Sequence, residues 1–371
     1  MNSGSDFKIL VINPGSTSTG VALFEGDSCR ASGSLPASLE GSQGDLWDEF
    51  PPRLESVRAW MKEEGIKPAS LDAVVGRGGL FRPVEGGTYR VTEAMLADAL
   101  GNRQGVHASN LGCALAQAVA DEAHRTKRQL GEWDPEGPGV PAFVVDPVST
   151  DEFGELARFS GIREIQRTSL SHALSIHALV YEVCRVEGRP LKGSRFVVAH
   201  LGGGISVCPV RDGRILDANN ANSGGPFSPT RAGGLPTQEL LKLALSGRFS
   251  EAELRVMTVK RGGLSSYLGT DDAREVESRI ARGDEEALVV YEAMAYQIAK
   301  EIGAMVTVLS GRVDKILLTG GLAASSMLTR WITDRVGSLA PMEIWPEVEE
   351  MKALAQGALR ALTGEQPPKE Y

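Results

Sequence analysis

The 371-residue sequence has only four cysteines and five histidines, no Gly-Lys dipeptide, no apolar run long enough to cross a bilayer, and fewer basic than acidic side chains. Each shortage excludes something. Cys29, Cys113, Cys184 and Cys208 form no C-x-x-C pair and the histidines no H-E-x-x-H, so neither a local zinc site nor a redox dithiol is encoded, and free, mostly buried thiols are expected. Without Gly-Lys there is no Walker A loop, which rules out a P-loop kinase. The one G-x-G-x-x-A match, Gly137 to Ala142, holds two internal prolines and leads into a strand, so it is no dinucleotide fingerprint. A formal net charge of −9 and a pI near 5.3 leave no basic face for nucleic acid or an anionic membrane. The start lacks the basic and then apolar order of a signal peptide, and a cytoplasmic protein is expected.

What is present predicts an α/β protein of two domains, the length being too great for one ordinary core. The polar first six and last eight residues are expected to be loose. Residues 8–27 read as an apolar strand, a Gly/Ser/Thr turn, a second strand and a polar hairpin at Glu25-Gly26-Asp27. Residues 195–214 repeat that order, with Gly202-Gly203-Gly204 in the turn and Arg211-Asp212-Gly213 in the hairpin. Residues 315–323 add a strand running into Gly320-Gly321. Such an echo suggests duplicated lobes whose glycine turns let backbone approach a ligand. A stripe of Leu288, Tyr291, Ala295, Ile298, Ile302, Met305 and Leu309 predicts a packed helix over 284–310, preceded by one capped by Asp271 or Asp272. Pro236-Thr237 starts another that stops near Gly247. A strand at 142–145 ends at Asp146, which places the first lobe at 1–149 and the second, nucleotide-binding lobe at 150–349, with a terminal helix at 350–363 returning to the first.

The polar residues at these turns suit phosphate. Asn13, Ser16 and Ser18 in one lobe and Gly202 to Gly204 in the other offer cradles of backbone N–H groups and small hydroxyls. Phosphoryl transfer also needs a divalent metal on carboxylates and cations near the moving group. Asp146 at a strand end is the metal candidate. Arg77 in VVGRGGL and Arg231 in SPTRAGG are read as loop arginines free to reach a ligand. The bland alternatives are a turn-capping aspartate and surface ion pairs.

The segments VINPGSTSTG, VVGRGGL, GVHASNLG, VVDPVST, RTSLSHAL, VAHLGGGIS, SPTRAGG, LGTDDAREVE, ILLTGGLA and EEMKALAQGALR occur in the order found in acetate and butyrate kinases, from about residue 8 to 362. The chain resembles that family, and in GVHASNLG and EMKALAQGALR its butyrate branch. The resemblance implies the duplicated actin-like, ribonuclease-H-like fold with ATP in the cleft between its lobes. It also implies reversible transfer of phosphate between ATP and a short-chain fatty acid, with Mg²⁺, in at least a homodimer. Asn13, Ser16 and Ser18 would belong to the first phosphate hairpin, and His200 with Gly202, Gly203 and Gly204 to the second. Asp146 with Glu350, or Glu349, would organise the metal. Arg77 and Arg231 would hold the carboxylate and the moving phosphoryl group, His107 matches an active-site histidine, and Gly79 and Asn110 fall at the acid site. Asp272, Ala273, Arg274, Gly320 and Gly321 would contact the nucleoside.

Where acetate kinases read FHGTSH, this chain reads RTSLSH and keeps only the second histidine, His172. The first falls near Thr168, so either His200 and the arginines suffice or Arg167 substitutes. Gly78-Gly79-Leu80 follow Arg77 where acetate kinases carry two valines, which implies a wider acyl pocket and a preference for a C4 acid. The alternatives are an acetate, propionate or branched-chain acid kinase and, from another class, a non-catalytic nucleotide-regulated module on the same fold.

Overall fold

The computed structural model describes residues 7–37, 45–132, 139–346 and 348–371. The expected loose start, and Gly137 of the rejected dinucleotide match, lie outside them. The chain divides into two compact units, Met1–Thr150 with Glu349–Tyr371, and Asp151–Val348.

In the first unit, β1 (Lys8–Pro14), β2 (Ser18–Glu25) and β3 (Ser28–Pro36) form an antiparallel meander. β4 (Ala73–Arg77) and β6 (Ala142–Val145) extend it in parallel, and β5 (Thr88–Arg90) closes the order β3-β2-β1-β4-β6-β5. Ile9, Leu10, Val11 and Ile12 are all fully buried, the mark of a strand covered on both faces. Leu10, Ile12 and Val74 meet Leu115, Val119 and Ala123 of the helix Leu111–Gln129. The helix Glu350–Thr363 also packs on β1, β4 and β6. Two close approaches fix these helices. A Cβ on Gly357 would lie 2.5 Å from Val145 Cγ1, and Thr88 Oγ1 donates to the Gly357 carbonyl at 2.9 Å. A Cβ on Gly76 would lie 2.1 Å from the Gly112 carbonyl oxygen, and one on Gly112 2.1 Å from that of Arg77.

The end of the chain is not loose. Lys369 forms a bridge beside β5, donating its N–H to Thr88 O at 2.7 Å, and the Tyr371 ring meets Phe81 edge-on with centroids 5.9 Å apart. The polar composition of 364–371 signals exposure, whereas β5 offers an unpaired edge and Phe81 an apolar surface for the segment to occupy.

The second unit repeats the plan. β7 (Arg195–Leu201), β8 (Ile205–Arg211) and β9 (Arg214–Ile215) form the antiparallel part, and β10 (Lys315–Thr319) and β11 (Met342–Trp345) continue in parallel beyond β7. The order β9-β8-β7-β10-β11 matches β3-β2-β1-β4-β6 strand for strand. One face, with Phe196, Val198, Val210 and Leu317, carries the helix Ala173–Val186, and the other, with Val197, Ala199, Val207 and Leu318, carries Glu285–Val308 and Ser326–Val336. The long helix buries a wider arc than its stripe foretold, taking in Ala287, Met294 and Val306 while Leu288 stays 37% exposed, because sheet and neighbouring helix contact it from two sides. Asp272 caps the helix Ala273–Ala281, and the helix Thr237–Leu245 ends at Ser246, just before Gly247. The cysteines are free, Cys29 exposed and the other three buried.

Gly76→Ala is expected to lose about 2 kcal/mol or more of stability in denaturant unfolding, because backbone must move apart. Gly303→Ala, in the interior of Glu285–Val308 with nothing within 4 Å of a new Cβ, should gain up to about 1 kcal/mol. Equal behaviour of the two variants would show that the helix–strand contact tolerates separation.

Candidate active site

Because β1, β4 and β6 run parallel, their C-terminal ends share one edge of the first sheet, where open α/β sheets gather ligand-binding groups. That edge presents Asn13, Arg77 and Asp146. Arg77 is the last residue of β4 and not a loop residue, its backbone held by the Gly76–Gly112 contact. Its Nη1 lies 3.1 Å from Glu350 Oε1, while Asn13 Nδ2 donates to Glu350 Oε2 at 3.0 Å. Glu350 is thus the carboxylate that reaches this edge, and exposed Glu349 only precedes the helix. Asp146 follows β6 with φ +40°, a conformation aspartate adopts more readily than most residues. Its Oδ1 accepts from Gly87 N at 2.7 Å and its own N–H donates to Gly87 O at 3.0 Å. Among the described residues no three His, Cys, Asp or Glu side chains gather as a metal cage. Two carboxylates at one strand edge fit instead a Mg²⁺ that arrives on nucleotide phosphates, since that ion takes one or two protein carboxylates and keeps its other ligands.

Ser16 is exposed in the β1–β2 turn and Ser18 opens β2. Beneath them lies a residue the sequence reading missed. Arg53, 2% exposed, donates to Gly15 O at 2.9 Å, Ser18 O at 3.3 Å and Thr19 Oγ1 at 2.7 Å, with Glu49 as its counter-charge. The signal was available, since Arg53 shares the buried stripe of its helix with Leu54, Val57, Trp60 and Met61.

His107 caps the short turn 108–110, its Nδ1 2.7 Å from Ser109 Oγ. Asn110 is fully buried: its Oδ1 accepts from Leu80 N at 2.8 Å, and its Nδ2 donates to Gly105 O and Asn102 Oδ1. It supports the loop after Arg77 from within and does not face a ligand. The wide-pocket expectation also fails. A Cβ on Gly78 would strike Pro147 and Val144 at 2.4 and 2.5 Å, and one on Gly79 would meet Asn110 Oδ1 at 2.3 Å. Side chains at these positions would enter packed protein and not an acyl pocket, so Gly79 serves close packing.

In the second unit a cavity of about 690 Å³ is lined by Gly202, Gly203, Thr230, Asp272, Ala273 and Arg274, and further by Gly321 and Ser325. The glycine hairpin, the Asp272–Arg274 turn and Gly321 are therefore brought together. Gly320 stands behind, with φ +87° and a Cβ position only 2.4 Å from Leu201 O. Glu277, also in the lining, was missed; it accepts hydrogen bonds from Ser325 Oγ at 2.5 Å and the Tyr291 hydroxyl at 3.1 Å. Gly203 O accepts from Ser228 Oγ and Thr230 Oγ1. Arg231 lies across Gly204, where a Cβ would be 2.2 Å from its Nη1, and donates to Ala221 O at 3.0 Å. Burial pulls its pKa below the ordinary arginine value, and among the described residues no carboxylate pairs with it. His200, at the end of β7, stacks on His172 with centroids 4.0 Å apart, and His172 Nδ1 lies 2.9 Å from Ser206 Oγ. Arg167 does not take the place of the missing histidine. It is committed to Asp217 at 2.8 Å and to the carbonyls of Ala157 and Ala218.

The sequence pattern of the Acetokinase family matches residues 162–356, more than half of the chain. The chain belongs to the acetokinase family. The probable butyrate kinase 2 of Caldanaerobacter subterraneus subsp. tengcongensis is 45% identical over 98% of this chain and 99% of its own length. Butyrate kinase 2 of Clostridium acetobutylicum is 41% identical over 98% and 99%. Among solved structures, Porphyromonas gingivalis acetate kinase superposes with a TM-score of 0.77 at 17% identity, covering 96% of this chain and all of that one. A Francisella tularensis propionate kinase gives 0.67 at 19% identity, covering 95% and 98%. The duplicated α/β plan is thus that of the acetokinase fold.

Gly79→Val is expected to destabilise the protein by about 2 kcal/mol or more without changing the ranking of acids by kcat/KM, because its side chain meets Asn110. A stable variant whose preference moves toward shorter acids would restore the wide-pocket reading.

Proposed function

We propose that the chain transfers the γ-phosphoryl group of ATP reversibly to the carboxylate of a short-chain fatty acid, butanoate and ATP giving butanoyl phosphate and ADP. The observation that carries this reading is Arg231, a half-buried guanidinium with no carboxylate partner among the described residues, laid across a glycine hairpin that opens on a nucleotide-sized cavity. A charge so placed calls for an anionic ligand. A non-catalytic nucleotide module has no use for a second arginine at a carboxylate-bearing strand edge, and Arg77 is that second arginine.

A fatty acid is ionised at neutral pH, so its oxygen attacks the γ-phosphorus without a base. The P–O bond to the β-phosphate breaks and ADP leaves with its electron pair. Arg77 holds the acid, Arg231 stabilises charge on the equatorial oxygens, and Gly202, Gly203, Asp272, Ala273, Arg274 and Gly321 hold the nucleotide. Asp146 and Glu350 would hold Mg²⁺, which when bound balances charge on the phosphate oxygens. His200 needs no proton-transfer role in this scheme; it stacks on His172 beside the hairpin. The C4 preference is supported by likeness to the butyrate kinases alone, with acetate, propionate and branched acids as the alternatives. A cytoplasmic location and a homo-oligomeric state belong to the same reading.

Arg231→Ala should lower kcat for acid-dependent ADP release by roughly 10³, the effect of an arginine on a moving phosphoryl group, with nucleotide affinity within about threefold. Near-normal kcat in the folded variant would remove Arg231 from the chemistry. Asp146→Asn keeps an acceptor for Gly87 N but loses the charge, so Mg²⁺-dependent turnover should vanish while the thermal midpoint stays within a few degrees. Retained turnover with an unchanged Mg²⁺ requirement would overturn its metal role.

A further inference from the structure

The loop 78–87 joins Arg77 at the end of β4 to Thr88 at the start of β5, and it is zipped to the segment after β6. Val148 N donates to Gly78 O, Ser149 N to Gly79 O and Val84 N to Ser149 O, each at 3.3 Å, and Gly87 exchanges two hydrogen bonds with Asp146. The geometry of Arg77 and Asp146 is therefore the geometry of this loop. Its outer side is held by residues 369–371. Lys369 N donates to Thr88 O at 2.7 Å and Arg90 N to Lys369 O at 3.1 Å, adding a strand-like pairing to the edge of three-residue β5. The Lys369 ammonium donates to Gly86 O at 2.7 Å and lies 3.3 Å from the Glu85 carboxylate.

Tyr371 holds the other end of the loop. Its hydroxyl accepts from Arg82 N at 3.0 Å and donates to Asp98 Oδ2 at 2.7 Å, while its ring meets fully buried Phe81 edge-on and lies under the Arg82 guanidinium at 4.7 Å. Asp98 binds Arg82 Nε at 2.7 Å, so hydroxyl, guanidinium and carboxylate close a ring of contacts. Burial first, and then the hydrogen bond to Asp98, push the phenol up to about 12, so it stays a donor at any working pH. A three-residue edge strand and a glycine-rich loop have little hold of their own. The two anchors sit at its two ends.

We infer that residues 369–371 form a clasp that positions the acid-holding loop, making Lys369 and Tyr371 positioning residues for the carboxylate substrate. This rests on the reading of Arg77 and Asp146 as the acid and metal side of the site. Such a clasp acts on acid binding in the first unit and leaves the nucleotide cavity of the second unchanged. A merely structural role would lower the active fraction without moving either KM.

Tyr371→Phe keeps the ring packing and removes the hydroxyl. Loss of this part-buried hydrogen-bond bridge should raise the acid KM by about three- to tenfold, with the ATP KM within about twofold. Deletion of 369–371 should raise the acid KM further and speed amide hydrogen exchange at Val84, Gly87 and Arg90. Arg77→Ala is measured alongside. Unchanged acid KM in both clasp variants, or a parallel rise in ATP KM, with Arg77→Ala still raising the acid KM, overturns the clasp alone. An unchanged acid KM in Arg77→Ala overturns the acid-site reading and the clasp with it.

Discussion

Glu350 is the carboxylate on which the strand edge of the first unit depends. It stands in the first turn of the helix Glu350–Thr363, where the partial positive charge of unpaired N–H groups favours an anion. One of its oxygens accepts from Asn13 and the other lies 3.1 Å from Arg77, whose side chain is only 12% exposed. A guanidinium that far out of water needs a counter-charge. Glu350 provides it without an aligned hydrogen bond to Nη1, which is left as a buried donor with no hydrogen-bond partner among the described residues. The helix can bring Glu350 there because Gly357 lets it lie directly against Val145.

Arg231 meets the same burial problem differently. Its counter-charge among the described residues is absent, its pKa is drawn down by burial alone, and a carbonyl and a glycine hairpin shape its position. One arginine is thus held by a carboxylate in the first unit, and the other, in the second, by a carbonyl and close backbone, with no carboxylate partner among the described residues. Glycine underlies both placements. At Gly76, Gly112 and Gly204 a single Cβ would push an arginine or the strand carrying it out of place.

The strands around the glycine turns were legible because long apolar runs broken by Gly and Ser permit few other readings; β1, β2, β7, β8 and β10 fall where that pattern puts them. The grouping of Gly202 and Gly203 with Asp272, Ala273, Arg274 and Gly321 in one cavity was legible only through family likeness, since nothing local in the sequence joins residues so far apart. Short strands such as β5, β9 and β11 escaped notice because they are defined by their partners and not by composition. The role of Asn110 and the purpose of Gly78 and Gly79 were misread for the same reason: a fully buried carboxamide and a glycine under a tight contact look, in sequence, like their counterparts in a pocket wall. The closing residues misled most, since polar composition hid the one aromatic, Tyr371, that fastens them.

Hydroxamate formation is the most direct measurement of phosphoryl transfer to a carboxylate, because hydroxylamine traps an acyl phosphate and not free acid. The purified protein would be mixed with Mg-ATP, hydroxylamine and, in turn, acetate, propionate, butyrate, isobutyrate and valerate. The expected result is ATP-dependent hydroxamate with every acid that is turned over, and more from a C4 acid than from acetate. No acid-dependent hydroxamate from any of the five would contradict carboxylate kinase activity, and a preference for acetate would contradict its assignment to butyrate.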